Sequence, residues 1–551
     1  MDNIKTDVLI IGGGGAACRA AVAAADAGAD VTVVLRGTLG RSGATTYQCC
    51  EIAGYNVSGS GDPQDSPEVY YEDIMDAGMG MADPRLAELL AHGAGPRFED
   101  LRRWGVSPAA DGGREVIMKG CYSSRRRGYT IRGHGEPIAG ALIRQMRARL
   151  SINVMENSAA AGLLMSDGIC SGADVLLPDD SLARIYAGAV ILATGGASRV
   201  FLKNLNPADV CGDGYSMAWE CGADLMNMEF MQAGVGFFHP VKSLFNTYLW
   251  AGFPLLTNAS GERFLEKYLP SGVSERDVML AHCRHFPFSS RDASRYIEIG
   301  IQKELASGGG NERMNLQVRF EHFTNEYIAG LEYDADLKAL WPMVKEHFLG
   351  NGVDLLRDTV EVTCVAQAVN GGIRIDVNSM STIPGLFAAG ETAAGPHGAD
   401  RLGGNMMVTC QVFGEIAGRK AAEWALRRGL KARGGPCGKE AELLYKDVNT
   451  AALTDELQRC AMTDLFICRT AGKLEHFLNK ADELEREFIG AKTSDAPRRE
   501  NLAFYSLLNS ARIMARSALL RKESRGSHYR EDFPYTDDEN FGAPIIVKKN
   551  G

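Results

Sequence analysis

The sequence predicts an α/β protein in which a Rossmann-like domain is interrupted by an inserted α+β domain and followed by a helical domain. Its 551 residues exceed the length of one ordinary domain. Near the start, the apolar run Asp7 to Ile11 leads directly into the glycine turn Gly12 to Gly15. An Ala-rich segment and a second apolar run, Val31 to Leu35, follow. This order is typical of the βαβ unit that begins an open parallel sheet.

Two later apolar runs also end in glycine turns. Ala189 to Ala193 leads into Thr194-Gly195-Gly196, and Leu386 to Ala389 leads into Gly390-Glu391. In open α/β sheets, ligands bind at the carboxyl ends of the strands. We therefore expect three distant segments of the chain to meet at one ligand site.

The domain boundaries are predicted from the places where the strand–glycine–helix pattern stops. The segment from Gly214 to about Arg357 is richer in aromatic residues and Met, and no strand–glycine–helix pattern recurs in it. Residues 440 to 521 show helical periodicity. We predict a Rossmann-like domain formed by residues 1–225 and 357–428, a capping domain at 226–356, and a C-terminal helical domain with a tail at 429–551.

Charge and cysteine usage exclude several classes of function. The formal net charge of −10 argues against a protein that binds nucleic acid through phosphate contacts, although a local cationic pocket could still hold an anionic substrate. None of the 13 Cys has CxxC spacing, so we expect free thiols and no metal or iron–sulfur site in this chain. No apolar stretch is long enough to span a bilayer, and no signal-peptide pattern is present. We expect a cytoplasmic protein, and peripheral association with the inner face of the membrane stays open.

The first glycine turn predicts a dinucleotide site. Gly12, Gly14 and Ala17 form the GxGxxG/A pattern, in which small residues let a pyrophosphate approach the backbone and the positive end of a helix. The second strand of such a unit usually ends in an acidic residue that binds the ribose, but Arg36 stands near that point. We therefore name Glu391 as the candidate ribose contact.

Several motifs in order resemble the flavoprotein subunits of succinate dehydrogenase and fumarate reductase, a family that also contains L-aspartate oxidase. These motifs are Ile10 to Ala21, Gly40 to Thr45, Ala193 to Gly196, Gly212-Asp213-Gly214, Met228-Glu229-Phe230, Asn258 to Phe264, Ser290-Arg291-Asp292, Gly371-Gly372-Ile373, Ala389-Gly390-Glu391, His397 to Asn405 and Glu523 to His528. The resemblance covers nearly the whole chain. It implies an FAD domain, a capping domain, a helical C-terminal domain, and hydride exchange between FAD and a carbon next to a carboxylate.

The glycine turns and the resemblance together predict the cofactor contacts. In family members with covalent FAD, a His follows the Ser of the Arg-Ser pair, whereas here Gly43 follows Ser42, so we predict non-covalent FAD. The predicted cofactor-binding residues are Gly12, Gly14, Gly15, Ala16, Arg36, Ser42, Gly43, Ala44, Thr45, Ala193, Thr194, Gly195, Asp213, Glu391 and Asn405.

The resemblance also assigns catalytic roles to three arginines. Arg291 of the Ser-Arg-Asp motif corresponds to the proton donor, and Arg401 corresponds to the clamp on the substrate carboxylate, with His397 in the same motif. Arg263 of the GxRF motif is assigned to the proton relay. Arginine suits carboxylate binding because its fork is bidentate and always charged.

Three departures from the family motifs bear on the substrate. Gln367 occupies the position of a substrate-binding His, and Gln carries no charge at any pH. Ser260 replaces the relay acid. The His-Pro that usually follows Met-Glu-Phe comes several residues late, at His239-Pro240, so His239 is either a pocket residue or a packed core residue. The first two weaken the case for fumarate or succinate.

Three functions stay open on the sequence alone. The first is a reductase or dehydrogenase of a C–C bond next to a carboxylate, with electrons exchanged with another protein, a quinone, NADH or oxygen. An iron–sulfur partner subunit is what the resemblance implies, within an oligomer or hetero-complex. The second is an L-aspartate-oxidase-like amino acid oxidase. The third is an electron-transfer flavoprotein subunit that does not itself turn over an organic acid.

Overall fold

The main sheet carries the predicted βαβ unit. The structure is a computed structural model and describes residues 2–47, 49–331, 335–430 and 432–549. Parallel pairing joins Leu182–Leu192, Asp2–Ile11, Val31–Val34 and Ile152–Met155 in that order, and Leu386–Ala388 pairs in parallel with Leu182–Leu192. Three antiparallel strands extend the other edge: Ile169–Leu176, Ala159–Ser166 and Gly435–Pro436.

Helices cover this sheet. Because the central strands are parallel, their carboxyl ends lie at one edge. Gly15–Asp26 connects the strands Asp2–Ile11 and Val31–Val34 and packs against Asn405–Arg428. The other helices of this part are Pro67–Gly78, Pro84–Arg103, Glu136–Arg147 and Asp213–Glu220. A small sheet of Ile52–Asn56, Gly128–Arg132 and Ile117–Met118, and a hairpin of Ala110–Asp111 and Arg114–Glu115, complete it.

The capping region is built on an antiparallel sheet of five strands. Their order is Ser243–Leu244, Met231–His239, Val360–Val369, Leu316–Arg319 and Leu255–Thr257. Buried aromatic side chains, including Phe237, Phe245 and Trp250, pack on it. Its helices are Glu275–His282, Tyr296–Ala306, Asn325–Gly330 and Ala335–Gly350. Because Val360–Val369 pairs inside this sheet, the capping fold continues past residue 356, the boundary expected from the sequence.

The C-terminal region is helical, as predicted. Its helices are Glu440–Leu443, Thr450–Asp464, Ala471–Gly490, Arg499–Leu520 and Asp538–Phe541. The tail strand Ile546–Val547 returns to a four-stranded sheet with Leu225–Met226, Gly372–Arg374 and Ala393–Ala394. The tail is therefore part of the packed structure.

One cysteine pair differs from the expectation of free thiols. Cys221, directly after the helix Asp213–Glu220, forms a disulfide with Cys437, 216 residues later. The expectation is wrong for these two residues. The segment that carries Cys437 packs beside the Rossmann-like domain, where the strand Gly435–Pro436 pairs with the main sheet, and this brings the two thiols together. Among the residues that the structure describes, no helix combines the length and the apolar composition that crossing a bilayer requires.

Candidate active site

The glycine turn is held where two parallel strands end. The N–H of Gly12 donates to the Val34 carbonyl at 2.9 Å, and its φ is +126°. A Cβ at Gly12 would lie 2.1 Å from the Ala193 carbonyl oxygen, so only glycine lets these two strand ends meet. The helix that follows begins after Gly14, its Gly15 N–H donates to Thr45 Oγ1 at 3.0 Å, and its positive end lies at the cleft.

A second helix points its N-terminus at the same cleft. Gly404 adopts a left-handed conformation, with φ +85°, and the helix Asn405–Arg428 starts after it with no side-chain cap. Gly404, Met406 and Met407 line the cleft. Two helix N-termini thus contribute partial positive charge to one cavity.

The predicted cofactor residues gather in this cleft with one exception. Asn405 lies behind the wall, where its Oδ1 accepts hydrogen bonds from Asn56 Nδ2 (2.6 Å) and the Tyr70 hydroxyl (2.5 Å). The others line the cleft: Gly12, Gly14, Gly15, Ala16, Arg36, Ser42, Gly43, Ala44, Thr45, Ala193, Thr194, Gly195, Asp213 and Glu391.

Arg36 and Asp213 form one unit on the cleft wall. The guanidinium donates to both carboxylate oxygens, with Nη2 at 2.8 Å from Oδ2 and 2.9 Å from Oδ1. A bidentate pair of this kind neutralises the charge of Arg36 and fixes the position of the Asp213 carboxylate. An acidic group is therefore present near the end of the second strand, although it comes from residue 213.

Glu391 is a buried carboxyl that lines the cleft. Burial raises the pKa of Glu391 to about 7, against the lowering effect of the Val369 N–H, which donates to its Oε1 at 2.9 Å. A carboxyl in this state can donate or accept a hydrogen bond near neutral pH. It suits contact with a hydroxyl.

Arg401 is a buried cation on the other side of the cleft. Its Nε donates to Gln232 Oε1 at 2.9 Å and its Nη1 donates to the Leu402 carbonyl at 3.1 Å. No carboxylate within the described ranges forms an ion pair with it. Burial lowers the pKa of Arg401, and Glu391 opposes that effect. The desolvated guanidinium of Arg401 could therefore bind an anion that entered the cleft.

Two amide side chains stand beside Arg401 in the cleft wall. Gln232 is fully buried, and its Nε2 has no hydrogen-bond partner among the described residues. Gln367, predicted to replace a substrate-binding His, also lines the cleft, and its Oε1 is buried without a partner in the described structure. These neutral groups can orient a polar substrate without adding charge.

Comparisons with known proteins agree with this geometry. The "FAD binding domain" family matches residues 7–407, and the "Fumarate reductase flavoprotein C-term" family matches residues 454–551. The chain is 32% identical over 582 aligned positions to one subunit of the CoM/CoB fumarate reductase of Methanothermobacter marburgensis, covering 99% of this chain and 97% of that one. It is 31% identical to the L-aspartate oxidase of Caulobacter vibrioides, covering 98% and 96%. The FrdA chain of E. coli quinol fumarate reductase superposes with a TM-score of 0.81 at 26% identity, covering 100% and 95%.

The chain belongs to the fumarate reductase and succinate dehydrogenase flavoprotein family. Like these relatives, it is an FAD-dependent oxidoreductase that acts on CH–CH or CH–NH groups. The site fits FAD, because two helix N-termini face the cleft and Gly12 leaves no room for a side chain where the strands meet.

Arg291 lies outside the cleft of this family flavoprotein. Its Nε donates to Asp400 Oδ2 at 3.1 Å, its Nη2 donates to the Ala77 carbonyl at 3.0 Å, and its guanidinium lies over the ring of Tyr122. Burial opposes its charge, but Asp400 and Tyr122 together raise the pKa of Arg291. Its donors are occupied by protein groups, so the structure does not bring the predicted proton donor into the cleft.

Three further predicted catalytic residues also lie elsewhere. Arg263 is exposed and ion-paired with Glu275, because the GxRF motif lies in a surface turn of the capping region. His239 is exposed at the end of its strand and does not line the cleft, so it is neither the pocket residue nor the packed core residue that the sequence left open. His397 is buried behind the wall, where its Nε2 donates to the Thr409 hydroxyl at 3.0 Å. Burial and the charge of Arg401 hold the pKa of His397 well below its usual range, so it is neutral.

Polar residues on the capping side of the cleft were not predicted from the sequence. Asn246 and Tyr248 line the cleft together with Cys49, Cys50 and His134. Burial lowers the pKa of His134 to about 4 and raises the pKa of Cys49 to about 12, so both are neutral at pH 7. No motif marks these residues, and only the fold brings residues 49–50, 134 and 246–248 together.

Proposed function

We propose that this flavoprotein reduces or oxidises the C–C bond next to a carboxylate of a small organic acid, with Arg401 as the carboxylate site. The buried, unpaired guanidinium of Arg401 supports this proposal, since a desolvated cation is costly unless an anion compensates it. Bidentate binding by arginine would orient the neighbouring C–C bond.

FAD, when bound, would supply the hydride chemistry of this reaction. The glycine turn and the two helix N-termini would hold its phosphates, and Glu391 and Asp213 would meet its hydroxyl groups. We further propose that FAD is not covalently attached, because Gly43 follows Ser42. Acid precipitation should release the yellow cofactor, and flavin that stays with the denatured chain would contradict the proposal.

The substrate we propose has one carboxylate and a neutral second end. Among the cationic side chains that line the described cleft, Arg36 is paired with Asp213, Lys119 is exposed, and Arg401 alone is buried without an ion pair. Gln232 and Gln367 are neutral. A second carboxylate, as in fumarate, would lack a counter-charge beside these amides.

The test is a screen of small unsaturated acids under anoxic conditions. Protein-bound FAD is reduced with dithionite, and its reoxidation is followed at its visible absorbance band after addition of crotonate, cinnamate, mesaconate or fumarate. We expect rapid reoxidation by a monocarboxylate. If none of the acids reoxidises the flavin faster than buffer does, the proposed function is wrong and an electron-transfer role is favoured.

A second candidate is an L-aspartate-oxidase-like activity. The 31% identity to the Caulobacter L-aspartate oxidase favours it. Hydrogen peroxide formed on addition of L-aspartate in air would support this candidate. A flavin that stays oxidised with L-aspartate under anoxic conditions would reject it.

We also propose a partner that exchanges electrons with the flavin, namely an iron–sulfur subunit in a hetero-complex. The support is that the Methanothermobacter relative is named as one subunit of its enzyme. A cytoplasmic location, with or without attachment to the inner face of the membrane, is part of the same proposal. Copurification of an iron-containing subunit with the tagged chain from its native cells would test it.

A further inference from the structure

Three side chains of metal-binding types meet where two helices of the C-terminal region pack together. Cys460 and Asp464 lie one turn apart at the end of the helix Thr450–Asp464, and His476 lies in the next helix, Ala471–Gly490. The Asp464 Oδ2 accepts hydrogen bonds from Cys460 Sγ at 3.3 Å and from His476 Nδ1 at 2.7 Å. The three ligand atoms all lie within 4.8 Å of one another. The fold thus brings a thiol, a carboxylate and an imidazole to one point.

The charges around this cluster favour a cation. Asp464 is 9% exposed, and within the described chain no lysine or arginine forms an ion pair with it. Lys480, one turn further along the second helix, is already paired with Glu456 at 3.1 Å and with Glu483 at 2.8 Å. Two carboxylates therefore offset that ammonium, and the charge of Asp464 is left uncompensated while the imidazole is neutral. A buried carboxylate without a cation is costly, and a bound metal ion would compensate it.

We propose that Cys460, Asp464 and His476 form a binding site for one Zn²⁺ ion. Zn²⁺ takes thiolate, imidazole and carboxylate ligands in a tetrahedral arrangement, in which the ligand atoms lie roughly 3.3–3.8 Å apart. The Sγ–Oδ2 separation of 3.3 Å fits this geometry, and the Nδ1–Oδ2 separation of 2.7 Å would lengthen by about 0.6 Å as the ion replaces the hydrogen bond. The His476 side chain is 68% exposed, so it has room for this adjustment. Water would fill the fourth position.

Binding of the ion replaces both hydrogen bonds to Asp464. The Cys460 thiol gives its proton to solvent and binds as a thiolate, and the neutral His476 imidazole keeps its proton on Nε2 so that Nδ1 can bind. Asp464 binds as a carboxylate. One dication with one thiolate and one carboxylate is neutral overall, so the site has no charge left to compensate.

An ion held by both helices would fix the turn between them. Residues 465–470 form this turn, and in it Arg469 is buried and donates from Nη1 to the Glu229 carbonyl at 2.8 Å. The turn therefore joins the C-terminal region to the capping region. None of the three ligands lines the cleft, so the inference does not depend on the proposed function. A single Cys with ligands from two helices has no CxxC spacing, which is why the sequence predicted no metal site.

The experiment measures Zn²⁺ binding by FAD-loaded protein, first freed of metal, in competition with a chromophoric chelator. We expect the wild type to bind one Zn²⁺ per chain. Cys460→Ser and His476→Ala should each weaken binding by more than about 100-fold, because loss of a ligand costs more than a change in a group behind it. Cys468→Ser and His92→Ala are matched controls, since they change a free cysteine and an exposed histidine outside the cluster, and both should bind like wild type.

A second readout identifies the ligands. Co²⁺ in place of Zn²⁺ should give the intense bands of a tetrahedral, thiolate-bound ion at wavelengths longer than those that oxidised FAD absorbs. These bands should disappear in Cys460→Ser and remain in Cys468→Ser.

Two results would overturn the inference. The first is a wild type that binds Zn²⁺ no more tightly than Cys460→Ser does, and the second is a set of Co²⁺ bands that persists in Cys460→Ser. If Cys460→Ser unfolds, His476→Ala decides, because its exposed imidazole can be removed without disturbing the core. Wild-type affinity for Zn²⁺ in His476→Ala would then show that the cluster is not the site.

Discussion

The two halves of the cleft are built from different parts of the chain. The cofactor half consists mainly of backbone, namely the turn Gly12 to Gly15, the Gly404 turn and the two helix N-termini behind them. The substrate half consists of side chains, among them Arg401, Gln232 and Tyr248, which come from separate segments. In a site built from backbone, the binding groups can move little without disturbing the fold. In a site built from side chains, single substitutions can change which ligand is bound.

The halves also differ in how far the protein satisfies its own polar groups. In the cofactor half Arg36 is paired with Asp213. In the substrate half the Arg401 charge has no ion pair in the described chain, and an amide nitrogen of Gln232 has no partner there. Buried groups left in this state are costly unless a ligand completes them. The difference supports the proposal that an acid binds in the substrate half.

The largest effect is expected from Arg401→Gln. Removing the buried cation should slow reoxidation of reduced FAD by a carboxylic acid about 100- to 1000-fold, because the carboxylate loses its charged partner. The measurement is the anoxic reoxidation rate with crotonate. Arg85→Gln removes an exposed arginine paired with Asp83 and should behave as wild type. Equal rates in the Arg401 variant would place the carboxylate site elsewhere.

Arg291→Ala should act on stability. Its partner Asp400 is buried, and the remaining bond from the Ser289 hydroxyl, at 2.7 Å, does not neutralise it. Breaking a buried pair from one side costs about 3–5 kcal/mol, and partial exposure of Arg291 puts the loss at the lower end. Urea unfolding of the FAD-loaded protein measures it, and Asp400→Asn in the same chain should restore part of the loss. If Arg291→Ala kept its full stability but lost turnover, Arg291 would have a catalytic role.

Glu391 should give the protein without FAD a pH-dependent stability. Its folded pKa is about 7, above the ordinary value of 4.5, so folding favours the protonated form. The contribution is fully present below about pH 4.5, decreases as pH rises through 7, and amounts to about 3 kcal/mol at most. Urea unfolding between pH 5 and 8 should show a shallower slope for Glu391→Gln. Because the pKa of Glu440 is also raised to about 7, part of the slope should remain. An unchanged slope would contradict the role given to Glu391.

The smallest effect is expected from Gln232→Leu. This change removes the 2.9 Å hydrogen bond to Arg401 Nε and the free amide donor, but keeps the size of the side chain. Loss of one hydrogen bond to a charged group should weaken acid binding about 10-fold. The concentration of crotonate at half-maximal reoxidation rate measures it. A variant with tighter binding would show that Gln232 repels the substrate.

Much of the fold could be predicted because its signals are local. The apolar run Asp7 to Ile11 lies within the strand Asp2–Ile11, and the Ala-rich segment that follows the glycine turn forms the helix Gly15–Asp26. The strand Val360–Val369 lies outside the predicted capping domain because pairing with Met231–His239 leaves no local mark in the sequence. For the same reason, the spacing of the cysteines in the sequence does not predict the disulfide between Cys221 and Cys437.

The site residues also divide into those that sequence motifs predict and those that only the fold brings together. The glycine turns and Arg401 lie in motifs, and the structure brings them to one cleft. The hydrogen bond between Glu51 and Tyr248 joins residues 197 positions apart, and neither residue stands in a recognisable pattern. Arg263 and His239 carried motif-like neighbours, yet both are exposed, because a motif fixes residue identity and not the direction of a side chain.

The central claim is that Arg401 binds the carboxylate of the substrate. The most direct measurement is an equilibrium titration of oxidised, FAD-loaded protein with crotonate, followed in the visible flavin spectrum. We expect a saturable spectral change in the wild type and no change in Arg401→Gln, which should keep its full complement of FAD. An Arg401→Gln variant that bound crotonate with wild-type affinity would contradict the claim.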